Sequence, residues 1–300
     1  MVLWNRIRKN WGLYLLLLPS FILLACFYYR PIYGVVIAFK DFKPVEGIWN
    51  SQWVGLKHFT RFFNSYQSGT TIKNTIILSC YHLFAAFPFP FMLALLVNQL
   101  SVKFFRKTFQ VVTYLPHFIS MVVLVAILIL LLSPSSGMVG NFFKLLKMDA
   151  PNLMGKAGAF RHIFVWSDIW QRAGWDSIIY IAALSAVDPN LYEAAVVDGA
   201  KKWHKLRYID LPMLLPTATI LLILRSGNIM NVGFEKVYLM QNPLNLLTSE
   251  VIATYVYKIG LINTQYSLSA AVNLFNNAIN FLMLVMVNLI SRKFNEDSLW

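Results

Sequence analysis

Charge is scarce in this chain of 300 residues, and acid is the scarcer sign: 13 Asp and Glu stand against 26 Lys and Arg, and only 13% of positions are charged. That is roughly half the charged share of a soluble domain. With 58% of its residues hydrophobic, the chain cannot clothe itself in polar surface, so lipid is the solvent for most of it. Cysteine is nearly missing. Cys26 and Cys80 lie in different apolar runs, form no metal-ligand pair and read as buried, reduced thiols. The phosphate loop G-x-x-x-x-G-K-[ST] does not occur, which excludes ATP hydrolysis on this chain. H-E-x-x-H and G-x-S-x-G are missing too, and no other catalytic or metal-ligating constellation emerges. Repeats and low-complexity tracts are absent. The net charge of +13 does not point to nucleic acid, because the cations cluster at the ends of apolar runs, where anionic lipid headgroups attract them.

What the chain has in abundance is apolar runs. A bilayer core of about 30 Å needs about 20 apolar residues to cross it. Six runs qualify, at about 11–39, 72–100, 109–133, 161–186, 211–235 and 267–291. This predicts an all-α membrane protein with six transmembrane helices in a single domain over 1–300. The fourth run carries Asp168, Arg172 and Asp176, so it is expected among other helices. The N-terminus imitates a secretory signal, and Leu23–Cys26 imitates a lipoprotein cleavage box. Bulky Phe27, Tyr28 and Tyr29 follow Cys26, which favours an uncleaved first helix. Arg6, Arg8 and Lys9 precede the first run; Lys103, Arg106 and Lys107 fill the tight second loop; Lys201, Lys202, Lys205 and Arg207 occupy the fourth, and Arg292 and Lys293 follow the last run. Placing these inside puts both termini in the cytoplasm. On the opposite side, WVGLKHFTRFF sets Leu56, Phe59, Phe62 and Phe63 at helical spacing, as suits a helix lying in the interface.

A polar island, Glu193–Pro212, interrupts this pattern. Asp188-Pro189 or Asn190 can start a short helix, with Pro189 suited to a first turn and Asn190-x-x-Glu193 a variant of the capping box. Gly199 can end it in the left-handed conformation. A second basic turn is expected over 200–208, with Pro212 opening the fifth span. Small residues at Ala194, Ala195, Gly199 and Ala200, beside Asp198, let a partner's backbone approach, and Glu193 offers it a carboxylate. On spacing alone, an ordinary interfacial loop with capping residues remains open.

The spacing E-A-A, three residues, G, nine residues, I-x-L-P is filled at every position by Glu193, Ala194, Ala195, Gly199, Ile209, Leu211 and Pro212. It resembles the cytoplasmic signature of permeases of ATP-binding cassette (ABC) importers. WVGLKHFTRFF, FRKTFQVVTYLPHFIS, IYIAALSAVDPNLYEAA and GFEKVYLMQNP are similar to stretches of the maltose and glycerol-3-phosphate type of sugar permease. With ATYVYKIG they look most like its LplB-type oligosaccharide branch. Asn242-Pro-Leu-Asn245 departs from a common Gly-Gly-Pro turn, and Leu268 replaces a common small residue. The resemblance implies the ABC importer permease fold, with a coupling helix within 188–212 that sits in a cleft of a separate ATPase subunit. It further implies a second, homologous permease subunit in a heterodimer, two cytoplasmic ATPase subunits that bind ATP and Mg, and a solute-binding lipoprotein outside. The setting implied is a bacterial cell membrane, and this chain itself binds no cofactor.

A sugar path needs hydrogen-bonding side chains turned inward. In the fifth run, Arg225, Asn228, Asn231 and Glu235 project within an arc of about 120° of a helix. In the sixth, Asn273, Asn276, Asn277 and Asn280 project within about 100°. In the fourth, Asp168, Gln171, Arg172 and Trp175 share a face. Amides both donate and accept, and Trp offers a flat surface to a sugar ring. The alternative is that these faces join helices, with Arg225–Glu235 or Arg172–Asp176 as structural ion pairs. His82 and His117 read as packed and hydrogen-bonded. Two rival functions stand beside oligosaccharide import: an ABC permease for a phosphorylated compound or peptide, and a multipass membrane enzyme.

Overall fold

The computed structural model describes residues 9–294, so Arg6 and Arg8 lie outside the described residues. The chain is almost wholly helical. Helix α1 (Trp11–Leu24) is apolar all round and buries none of its residues, and wider and tighter turns carry it on to Phe39 as one 29-residue apolar segment. Cys26, expected to be buried, is exposed on this segment. A helix apolar on every face finds its partner in lipid, so packing inside the chain never reaches that thiol. Two short strands follow, β1 (Lys40–Asp41) and β2 (Gln52–Trp53), paired antiparallel, and then α2 (Lys57–Phe63).

Helices α3 (Tyr66–Ala86) and α4 (Pro88–Asn98) form one apolar segment of 33 residues, interrupted only before Pro88. The expected third span divides. Helix α5 (Lys103–Tyr114) starts earlier than the apolar run, and α6 (Met121–Leu131) leaves it at 96° after a tight turn, Leu115–Phe118. Pro116 cannot continue a regular helix, and Ser120 caps α6 by accepting from the Val123 N–H. Helix α7 (Ala157–Ser185) is 29 residues long and buries residues along its whole length, among them a stripe of Phe160, Phe164, Asp168 and Gln171. Steps of three and four residues mark that stripe as one helical face.

After α8 (Pro189–Val197) come α9 (Lys202–Lys205), a wide π turn (Leu206–Asp210) and α10 (Leu211–Ser226), which run on without a break. The fifth span therefore covers Lys202–Ser226 rather than 211–235, and Pro212 lies within it instead of opening it. In a regular helix the Pro212 ring would strike the carbonyl four residues back, and the wide turn just upstream absorbs that conflict. Helix α11 (Phe234–Met240) is a separate element, and α12 (Tyr266–Phe294) closes the described chain. Among the described residues four helices are long and apolar enough to cross a membrane, and the bent α5–α6 pair would make a fifth. Helix α7 has the length but carries interior charges.

Two compact units emerge: residues up to Ser65 with Val256–Phe275, and Tyr66–Tyr255 with the residues from Asn276 on. In the first, Phe39 stacks on Trp53 at 5.7 Å and lies 5.5 Å from Phe59, while Phe62 and Phe63 pack on Phe275. The interfacial face expected of α2 is thus largely taken up by packing, leaving Leu56 and part of Phe63 exposed. Leu268 is buried here. In the second unit α7 is central. One apolar cluster gathers Leu78, Phe160, Phe164, Val165 and Val237, and another gathers Ala94, Leu95, Tyr180, Leu184 and Leu214. Gly174 lets α5 approach closely, because a Cβ there would strike the Thr113 carbonyl. The Asn242-Pro-Leu-Asn245 turn is braced by its own amides: Asn242 and Asn245 both donate to the Met154 carbonyl, at 2.8 and 3.0 Å.

Candidate functional site: a charged cavity and a polar bend

A cavity of about 480 Å³ opens between α3, α4, α7, α10 and the irregular stretch 227–233. Asp168, on the buried stripe of α7, organises its wall. The His82 Nε2 lies 2.7 Å from one carboxylate oxygen, while the Arg172 Nε and Lys236 Nζ lie 3.3 and 3.5 Å from the other. Lys236 is 1% exposed; it donates to the Phe164 carbonyl at 3.0 Å, and its ammonium lies 5.0 Å from that residue's ring centroid. Across the cavity, Arg225 donates to Asp176. Neither expected ion pair forms. Arg172 has a carboxylate one turn away on each side and takes Asp168, which leaves Asp176 to Arg225. Three cations thus face two carboxylates, one positive charge in excess before His82 is counted. Charges at membrane depth are costly and persist where they pair or meet a polar path.

The residues singled out in the sequence part company here. Asp168, Arg172, Arg225, Asn228 and Asn231 line the cavity. Gln171 turns away and donates to the Ile119 carbonyl at 2.8 Å, and Trp175 stacks on His117 at 4.5 Å with 2° between the rings. Both secure the bend between α5 and α6. Glu235 is exposed in the first turn of α11 and is not on the wall. Its projection assumed a helix that stops at Ser226. Asn276 donates to the Asn231 side-chain amide oxygen at 2.9 Å, and the Asn280 side-chain oxygen accepts from the Met230 N–H at 2.9 Å. These two amides hold the stretch that carries Asn228 and Asn231. Asn273 and Asn277 are exposed and do not line the cavity.

His82 and Ser79 line this cavity and Lys236 stands buried behind Asp168, and none of the three was picked out as part of the site. The Ser79 hydroxyl is buried on the wall without a protein partner. The signal for Lys236 was present in the sequence, as a lone cation directly before the apolar Val-Tyr-Leu-Met of 237–240.

The polar island forms a capped helix and a sharp bend. Asp188 is the cap, its carboxylate accepting from the Asn190 N–H at 3.0 Å; the Asn190–Glu193 box does not form, and Glu193 is exposed. Gly199 has φ +74°. The Ala200 N–H donates to the Ala195 carbonyl at 2.8 Å and the Gly199 N–H to the Val196 carbonyl at 3.0 Å, which is a Schellman C-cap. Ala194 and Asp198 are exposed beside this bend, with Ala195 and Ala200 half-buried. Ile209, Leu211 and Pro212 lie on the continuous helix beyond it. Between Ile209 and Leu211, Asp210 is fully buried; the signature treats that position as variable.

A helical membrane protein with a charged interior cavity and an exposed, glycine-terminated bend is built as a transport component. The chain belongs to the family of binding-protein-dependent transport system inner membrane components, which it matches over residues 86–296. It is 39% identical over 288 residues to the polygalacturonan/rhamnogalacturonan transport system permease protein YteP of Bacillus subtilis (strain 168), covering 96% of this chain and 90% of that one. It is 38% identical to protein LplB of the same organism, covering 98% and 92%. Its fold superposes with TM-score 0.89 and 39% identity, covering 98% and 99% of the two chains, on a chain of a bacterial ABC transporter involved in the import of the acidic polysaccharide alginate. A second structure, of a bacterial alginate ABC transporter with an alginate pentasaccharide-bound periplasmic protein, gives TM-score 0.91 and 37% identity over the full length of both chains. The chain is a multi-pass ABC permease subunit, not an enzyme.

Proposed function

We propose that this chain is one of two permease subunits of a bacterial ABC importer that brings acidic oligosaccharides into the cytoplasm. The observation that carries the reading is Arg172. Asp168 holds its Nε, its side chain is 51% exposed and it lines the cavity, so its two terminal nitrogens are free to take a carboxylate. Around it Asn228 and Asn231 offer amide groups suited to sugar hydroxyls. The excess of cations and the acidic polysaccharides named for the relatives support an anionic sugar over a neutral one. In this reading the membrane domain crosses six times with α7 among the spans, both termini are cytoplasmic and α8 meets an ATPase subunit. ATP and Mg act on two such subunits, a second homologous permease completes the path, and an outer solute-binding lipoprotein delivers the sugar. ATP-driven closure rocks the permease pair between outward- and inward-facing states.

Uptake by the complete complex in proteoliposomes tests this. Labelled uronic-acid oligosaccharides should enter and should be displaced by one another more strongly than by neutral oligosaccharides of equal length. Preference for neutral sugars, for glycerol phosphate or for a peptide would refute it.

A further inference from the structure

No residue of α8 is buried. Its ends are joined through the backbone to α7 and to the α9–α10 segment, but no such link reaches α4. Tyr192 is the residue whose side chain ties α8 to the rest of the chain: its hydroxyl donates to Asp210 at 2.6 Å and also meets the Asn98 side chain. The same carboxylate accepts from the Asn98 amide at 3.1 Å and the Gln99 amide at 2.9 Å, both at the C-terminal end of α4. Asp210 is fully buried and sits in the wide turn Leu206–Asp210 that precedes Pro212. Burying a carboxylate among neutral donors is a costly way to fill space, since an apolar residue would pack there without desolvation. The arrangement does something that packing would not: it gathers three elements on one atom group.

We infer that Asp210 is a positioning residue, a joint that makes α4 and α10 move with α8. The inference rests on the reading that α8 docks on the ATPase subunit. From Asp210, α10 rises about 22 Å to Arg225, and from Asn98, α4 rises about 12 Å to Pro90, at 1.5 Å per residue. Arg225 and Pro90 both line the cavity. A displacement of α8 therefore reaches two walls of the cavity through rigid helices, and the joint supplies the connection to α4 that the chain itself lacks. Partial loss of solvent and the Asp210 carboxylate push the half-buried Tyr192 hydroxyl up to about 12, so it stays a donor through the neutral range.

The test uses the whole complex in proteoliposomes and reads sugar transported per ATP hydrolysed. Tyr192→Phe removes the tether to α8 and leaves Asp210 bonded to Asn98 and Gln99, so the fold is spared. That variant should assemble and hydrolyse ATP, yet transport per ATP should fall about threefold or more, within the reach of one hydrogen bond to a carboxylate. Asp210→Val should fall at least as far, whereas Asp210→Asn, whose amide keeps one acceptor and can pair with a flipped Gln99, should recover most of the ratio. If Asp210→Val fails to fold, Tyr192→Phe still decides. Glu193→Arg, on the exposed face of α8, separates the two readings. Should Glu193→Arg strip the ATPase from the complex while Tyr192→Phe keeps a wild-type ratio, the joint alone is overturned. Should Glu193→Arg keep both the ATPase and full uptake, the docking reading and the joint fall together.

Discussion

Replacing Asp168 by Asn is the sharpest probe of the cavity wall. The carboxylate is 9% exposed and faces three donors: His82 at 2.7 Å, Arg172 at 3.3 Å and Lys236 at 3.5 Å. Their exposures differ. The Arg172 side chain is half exposed and can turn to water, but Lys236 is 1% exposed and has only the Phe164 carbonyl and ring besides. Asp168→Asn therefore leaves a buried ammonium without its counter-charge. Breaking a buried pair from one side costs about 3–5 kcal/mol, and that range is our expectation for the variant. Lys236→Met should cost less, about 1–3 kcal/mol, because Asp168 keeps His82 and Arg172. The double variant should then be more stable than Asp168→Asn alone, since the uncompensated charge is gone and Met fills the same volume. Thermal unfolding of the detergent-solubilised complex, taken through the double-mutant cycle, measures this. Costs that simply add would show that the two residues do not sense one another, and the account of the wall would be wrong.

Arg172→Gln should raise the half-saturating concentration for uronic-acid oligosaccharides about tenfold, the weight of one charge-assisted hydrogen bond, with little effect on neutral competitors; an equal loss for both would deny Arg172 an anion-binding role. Gly199→Val forces a β-branched residue into φ +74°, a penalty of about 1–2 kcal/mol, and should open the bend, so that the ATPase no longer co-purifies; full uptake would contradict the docking role. Gly174→Ala places a Cβ against the Thr113 carbonyl and should destabilise the complex by about 1–3 kcal/mol, read as a lowered unfolding temperature. A reporter active only in the cytoplasm, fused after Trp300, should be active; activity of an exclusively extracytoplasmic reporter there would reverse the orientation.

The bend was readable in advance because its determinants are local. A proline at the first turn, a glycine that can hold φ +74° and the residues between them fix a capped helix whatever surrounds it. The cavity was readable only in part, because projection onto a helix works only while the helix lasts. Arg225 keeps its predicted face, but α10 ends at Ser226, so Asn228 and Asn231 reach the wall from an irregular stretch and Glu235 does not reach it. The four asparagines of the sixth run share an arc, yet two of them serve the neighbouring stretch through Asn231 and Met230 and two are exposed. An amide facing a helix partner and an amide facing a ligand look alike in sequence, since both need only an inward face. The bend between α5 and α6 was missed for a related reason: apolarity ran on through Pro116, and only chain geometry showed the 96° turn.

The scarcity of acid in this chain acquires a meaning inside the membrane domain. Asp168, Asp176 and Asp210 are interior carboxylates, and each is engaged by a donor from another element. Asp168 and Asp176 fix the arginines of α7 and α10, whereas Asp210 fixes amides and a phenol. None of the three is left as a free negative charge. A free carboxylate there would repel a uronic acid, while an unpaired arginine at full burial would be too costly to keep. Pairing each cavity arginine with one aspartate, and adding Lys236 behind Asp168, satisfies both limits on the proposed reading: the cations are held in place, and one positive charge remains in excess.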